Sequence, residues 1–139
     1  MKPKWEHFEH QADIGIRGTG RTMAEAFEQA AVALTAVITP PERIFPGEAV
    51  RVHCEAPDRE LLLVDWLSAI LREMSALGML FSRFEVTVSG NTLDAVLYGE
   101  PLDSERHEPV VEVKGATYFK LSVGQDQEGL WTAQCVVDV

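Results

Sequence analysis

Two stretches of this chain return their apolar residues every three to four positions, while most of the rest alternates apolar with polar. The first begins at Thr22. Thr22 and Glu25 have the spacing of a capping box, in which the hydroxyl accepts from the amide of residue 25 and the carboxylate reaches back to the cap. Met23, Phe27, Ala30, Leu34 and Val37 then share one helix face, and Pro40 and Pro41 stop the run. The second stretch begins at Asp58, an N-cap candidate, with Glu60 near the positive end of the helix dipole. Leu63, Trp66, Leu67, Ile70, Met74 and Leu77 make its stripe, and Gly78 suits the left-handed residue that closes a helix.

Two amphipathic helices need an apolar surface to cover, and the remaining segments supply it as strands. Residues 5–10 alternate weakly, with Trp5 and Phe8 as inward candidates. Ile14 and Ile16 share a face, as do Val50, Val52 and Cys54. Phe84, Val86 and Val88 lead through the hairpin signal Gly90, Asn91 to Leu93, Ala95 and Leu97. Residues 110–113, 117–123 and 131–139 read as further strands. The expectation is an α+β fold, a two-layer α/β sandwich of about seven mostly antiparallel strands packed with two helices, in a single domain over residues 1–139. Two separate sheets with the helices between them are the alternative.

Charge limits what such a domain can hold. Lys and Arg number 12 against 22 Asp and Glu, a net charge of −10. Nucleic acid is gripped mainly by basic side chains that displace counterions, so no direct grip on RNA or DNA is expected. Cations and basic protein surfaces are the natural partners. No run approaches the roughly 18 apolar residues of a membrane span, and the first residues lack a signal-peptide core, so a cytoplasmic protein without membrane attachment is expected. Cys54 and Cys135 sit in apolar, strand-like surroundings without a metal-ligand spacing and read as reduced core thiols.

The last strand carries the first candidate site. Trp131, Ala133, Cys135, Val137 and Val139 lie on one face, and Thr132, Gln134, Val136 and Asp138 on the other. Asp138 thus projects beside the α-carboxylate of Val139, and hard cations such as calcium or magnesium favour oxygen donors of this kind. Asp13 supplies a third acid where the first and last strands are neighbours. The same residues serve equally as a turn cap and a solvated acid, and spacing alone leaves both readings open. A second cluster, Glu100, Asp103 and His107, lies in a polar segment that reads as a solvated inter-strand loop. It has no nucleophile in an elbow motif. His7 and His10, three apart on a strand, point to opposite faces, and His53 points outward.

Five segments in order resemble the archease family. EHQADIG at residues 9–15 is similar to its HTADIG signature, and LLVDWL at 62–67 to its helix core. Gly99, Glu100, Asp103 and His107 resemble its Gly-Glu loop. VKGATY at 113–118 and the run from Trp131 to Val139 match the remaining two motifs. Gln11 replaces a usual threonine, and Phe119 stands where a histidine often follows. The resemblance implies a non-enzymatic accessory of the RtcB-type RNA ligase, promoting its guanylation and multiple turnover in tRNA splicing or RNA repair. It also implies a divalent cation, calcium with magnesium or manganese as substitutes, held by Asp13, Asp138 and Val139. A free-standing metal-dependent phosphoester hydrolase using Asp13, Asp138 and His107, and a chaperone-like binding module, are the competing readings. Oligomeric state is not legible.

Overall fold

Helix α1 runs through Met23–Ile38 and α2 through Arg59–Leu77 in the computed structural model, which describes residues 2–139. The strands are β1 (Lys4–His10), β2 (Asp13–Gly20), β3 (Glu48–Glu55), β4 (Met79–Ser89), β5 (Thr92–Pro101), β6 (Gly115–Ala116), β7 (Ser122–Gln125) and β8 (Trp131–Asp138). A single-turn helix, α3, spans Ser104–His107. The α+β class read from the sequence holds, with eight strands where about seven were expected. They divide between two antiparallel sheets, ordered β1-β2-β8-β6 with β7 also on β8, and β3-β5-β4.

Both helices touch both sheets. α1 packs on β2, β8 and β1 of the first and on β4 of the second; α2 packs on β3, β4 and β5 as well as β6 and β7. That explains why α1 is rich in alanine. Ala26, Ala30, Ala31 and Ala33 are all buried, so the apolar surface is wider than the single stripe read from its period. Gly18 marks the closest approach, since a Cβ there would collide with the main chain of α1 at Ala26 and Ala30. Polar groups tie the layers: Thr35 donates to the carbonyl of Phe81 at 2.7 Å, and the indole of Trp66 to that of Phe27 at 2.9 Å.

The helix ends follow the sequence signals. Thr22 Oγ1 accepts from the amide of Glu25, and the carboxylate of Glu25 accepts from that of Arg21. Asp58 caps α2 through the amide of Leu61, and Gly78 closes it at φ 63°. Two carboxylates on the helices also bond sheet amides: Glu28 accepts from Val86 at 2.8 Å and Glu60 from Val123 at 3.3 Å.

Three local expectations fail. Residues 110–113 form no strand; the amide of Val110 bonds the last carbonyl of α1, and that of Lys114 bonds Asp138, so the segment crosses between elements. The strand expected over 117–123 is broken by a turn, because Thr117 Oγ1 captures the amide of Phe119 and Lys120 takes φ 56°. Trp5 and Phe8 cannot both point inward, being three apart on β1; Phe8 lies on the outer face over Gly15, and Trp5 is itself 38% exposed. Cys54 and Cys135 are free and buried, as expected. Among the described residues no helix is long and apolar enough to cross a membrane.

Candidate functional site

Strand register brings the two ends of the sequence together. The hairpin between β1 and β2 turns at Gln11, which adopts φ 55°, and pairs His10 with Asp13. β2 pairs with β8 through Ile14 opposite Val137, so the next step along the same register sets Asp13 against Asp138. Gly115 of β6 pairs Asp138 on its other side. His10, Asp13, Asp138 and Gly115 therefore form one row across four strands. Directly opposed residues of an antiparallel pair project from the same face, so the two carboxylates share one side of the sheet.

The end of β8 is held in place. Val139 donates its amide to Asp13 Oδ1 at 3.4 Å, Lys114 donates to the carbonyl of Asp138 at 2.8 Å, and Thr117 donates both its amide and its hydroxyl to that of Val136. Asp138 is exposed; Asp13 and Val139 are half-buried. Neither carboxylate makes a salt bridge with a described residue. Arg17, further along the same face, is spent on Glu6, on Gln134 Oε1 at 2.9 Å and on the ring of Phe8. Two like charges side by side on a sheet repel.

The Glu100 cluster is a different kind of structure. Its carboxylate accepts from both terminal nitrogens of Arg106 at 2.7 Å, from the amide of Phe45 at 2.7 Å and from His107 Nε2 at 2.9 Å. His107 Nδ1 accepts from the amide of Asp103, which fixes the ring proton on Nε2. Asp103 caps α3 through the amides of Glu105 and Arg106, and the hydroxyl of Thr39 donates to the carbonyl of His107. The Arg106 guanidinium, aided by Phe45 and His107, holds the Glu100 carboxyl down at about 2. The segment is solvated as expected except at His107, which is 0% exposed with both ring nitrogens engaged. This cluster latches β5, the loop before β3 and the end of α1.

Residues 5–139 match the Archease protein family (MTH1598/TM1083). Protein archease of Pyrococcus abyssi is 43% identical over 140 residues, covering 98% of this chain and 99% of its own. The chain belongs to the archease family. A solution structure of Methanobacterium thermoautotrophicum protein 1598 superposes with a TM-score of 0.84 at 33% identity, covering 97% of this chain and 98% of that one. A crystal structure of a Thermotoga maritima archease, described as a possible chaperone, has a TM-score of 0.64 at 20% identity, covering 96% of each; it speaks to the fold alone.

The donor chemistry at the archease row suits a hard cation. Asp13 and Asp138 face one side, and the main-chain amide of Val139 bonds Asp13 beside them. Among the described residues no group of three His, Cys, Asp or Glu side chains is placed to hold a metal ion. His107 lies outside this chemistry, being buried within the latch.

Three features escaped the sequence reading. His10 Nδ1 is the one buried side-chain nitrogen or oxygen without a hydrogen-bond partner among the described residues, and its ring lies 5.4 Å from that of Phe119. Tyr118 and Phe119 stand out from the fold at 70% and 62% exposure, where strand alternation would have buried one of them. A cleft of about 460 Å³ between the ends of both helices is lined by Ile38, Leu71, Met74, Leu102 and Val110. An unusual run of apolar residues, from Val110 to Val113 with only Glu112 between, was its sole signal in sequence.

Proposed function

We propose that this chain is the accessory of an RtcB-type RNA ligase, promoting the ligase's guanylation and repeated turnover rather than joining RNA itself. Membership of the archease family over almost the whole chain is what supports the reading. The unneutralised pair Asp13 and Asp138 supports its mechanism. In this proposal Asp13, Asp138 and main-chain oxygen of Val139 hold a divalent cation, calcium in the first instance, with magnesium or manganese as substitutes. Bound there, the cation supplies positive charge and labile oxygen coordination at the surface. The chain's own contribution is to hold two carboxylates on one face, with the end of β8 tied so that they keep their spacing. The acidic end then docks transiently beside the ligase's metal and nucleotide site. A net charge of −10 favours encounter with a protein that is basic because it grips RNA.

Multiple-turnover joining of RNA ends by the ligase, with wild-type chain, Asp13→Ala or Asp138→Ala added, tests the reading. Wild type raises turnover, and each variant loses most of the effect. Undiminished stimulation by both variants would sink the cation-centred mechanism. The hydrolase alternative is poorly served by the geometry, because a fully buried His107 cannot reach a substrate. Hydrolysis of a phosphoester by the pure protein with Mg²⁺ or Mn²⁺ would revive it. A chaperone-like module would suppress aggregation of a client with no metal dependence.

A further inference from the structure

VVEV at residues 110–113 has the β-branched composition of a strand, yet no strand of this chain pairs with it. The segment is held at both ends. The amide of Val110 bonds the carbonyl of Ile38, and that of Lys114 bonds the carbonyl of Asp138. Between these ties it runs without turn or bend, and no described residue bonds a main-chain amide or carbonyl of 111–113. Its side chains alternate as a strand's do. Val113 is 7% exposed and Val111 37%, whereas Val110 is 75% exposed and Glu112 and Lys114 face solvent. Successive peptide groups of an extended chain point to opposite edges. Val110 and Lys114 turn their amides to the body of the fold, so Val111 and Val113 turn theirs away. The segment leads into β6 and forms one wall of the cleft of about 460 Å³, opposite Ile38, Leu71, Met74 and Leu102.

An unpaired edge beside an apolar cleft is what strand addition uses: main-chain bonds supply affinity, and alternate side chains fill the pocket. Amides and carbonyls at strand spacing belong to a polypeptide, which sets nucleic acid aside. A second copy of this chain would bring one net charge of −10 against another, which keeps chains apart. The solvent side of the segment narrows the partner further. Glu112 and Lys114, two apart on that side, make no ion pair among the described residues. Residues directly opposed on paired strands interact, and opposite charges there are favourable. We propose that residues 110–113 accept an extended segment of a protein partner as an added strand. Its apolar residues, at alternate positions, cover Val111 and enter the cleft; on its other side a Lys or Arg faces Glu112 and an acid faces Lys114. The bond from Lys114 to Asp138 sets this edge beside the carboxylate row, so a protein docked there reaches both. The partner's identity, the RtcB-type ligase, rests on the proposed function; the mode of contact goes beyond it.

The experiment reads hydrogen exchange at single residues of the full-length chain, free and bound to the ligase of the same organism, with calcium present. The amides of Val111 and Val113 should exchange freely in the chain alone and be protected in the complex. Those of Val110 and Lys114, already bonded, should be protected in both. The dissociation constant is then measured for Val111→Pro, which removes an amide that has no partner in this chain. It should rise about tenfold, with an unchanged far-ultraviolet spectrum and calcium affinity. Glu112→Lys, a surface change that leaves the main chain intact, should raise it about threefold. Amides that exchange as fast in the complex as in the free chain overturn the inference, as does unchanged affinity of Val111→Pro. With wild type still binding and stimulating the ligase, either result leaves the proposed function standing. Failure of wild type to bind the ligase overturns both. Protection in the chain alone that grows with its concentration overturns the assignment in favour of a second copy.

Discussion

The amide of Val139 donates to Asp13 Oδ1 at 3.4 Å, joining residues 126 positions apart. The bond uses one carboxylate oxygen to anchor the end of β8. The other oxygen, and both of Asp138, have no hydrogen-bond or ion-pair partner among the described residues. A hydrogen bond of this kind contributes about 0.5–1.5 kcal/mol net, so its structural role is modest beside the electrostatic one.

Asp13→Asn separates the two roles. The amide oxygen still accepts from Val139, so unfolding free energy should change by less than about 0.5 kcal/mol. Calcium affinity, measured by isothermal titration, should fall at least tenfold because one of two facing charges is gone. Equal calcium binding by the Asn variant would show that the charge of Asp13 is not what attracts the ion.

The Glu100 latch makes a pH prediction. Its carboxyl is held at about 2 against an ordinary 4.5, chiefly by Arg106. Where the folded value lies below the unfolded one, the stabilisation is complete above the unfolded value and is lost as pH falls through the folded one. The stability difference between wild type and Glu100→Gln should therefore be constant above about pH 4.5 and shrink towards pH 2. Urea titrations at stepped pH read it directly, and a difference unchanged down to pH 2 would assign the latch to shape rather than charge.

Glu28 shifts the other way. Burial raises its carboxyl above the ordinary range despite the bond from the amide of Val86. With the folded value above the unfolded one, the contribution is greatest at low pH and declines as pH rises through the folded value. Glu28→Gln keeps an acceptor for Val86 without a charge to desolvate. At pH 7 it should be within about 0.5 kcal/mol of wild type or more stable, by thermal or urea unfolding.

Gly18→Ala probes the contact between α1 and β2. The added methyl meets main chain at Ala26 and Ala30, which cannot swing aside as a side chain would. A loss of about 3 kcal/mol or outright failure to fold is expected. Gly124→Ala, where a Cβ meets nothing within 4 Å, serves as the control and should cost far less by the same urea titration.

Much of the local structure was legible because its causes are local. Thr22, Glu25, Asp58 and Gly78 act within one helical turn, and the stripes of both helices follow from their period. The hairpin at Gly90 and Asn91 needs only its two strands. Where the reading failed, a distant partner had intervened. Residues 110–113 look like a strand, but the amide of Val110 bonds Ile38, 72 positions back. His107 looks like a loop histidine, but Glu100 bonds its ring and Thr39 its carbonyl, and the side chain is fully buried. Tyr118 and Phe119 sit in an alternating run, yet a Thr117 hydroxyl closes a turn that leaves both outside.

The sequence by itself determined the α+β class, the helix boundaries, the acidic balance and the family motifs, since these depend on composition and on residues a few positions apart. Only the tertiary structure decided that the strands divide into two sheets around both helices, and that Asp13 and Asp138 stand in one row. The reason is register. A shift of one residue between β2 and β8 would move one carboxylate to the opposite face. What holds that register is the packing of Ile16, Ala133, Cys135 and Val137 in the core, which no spacing within either strand reveals.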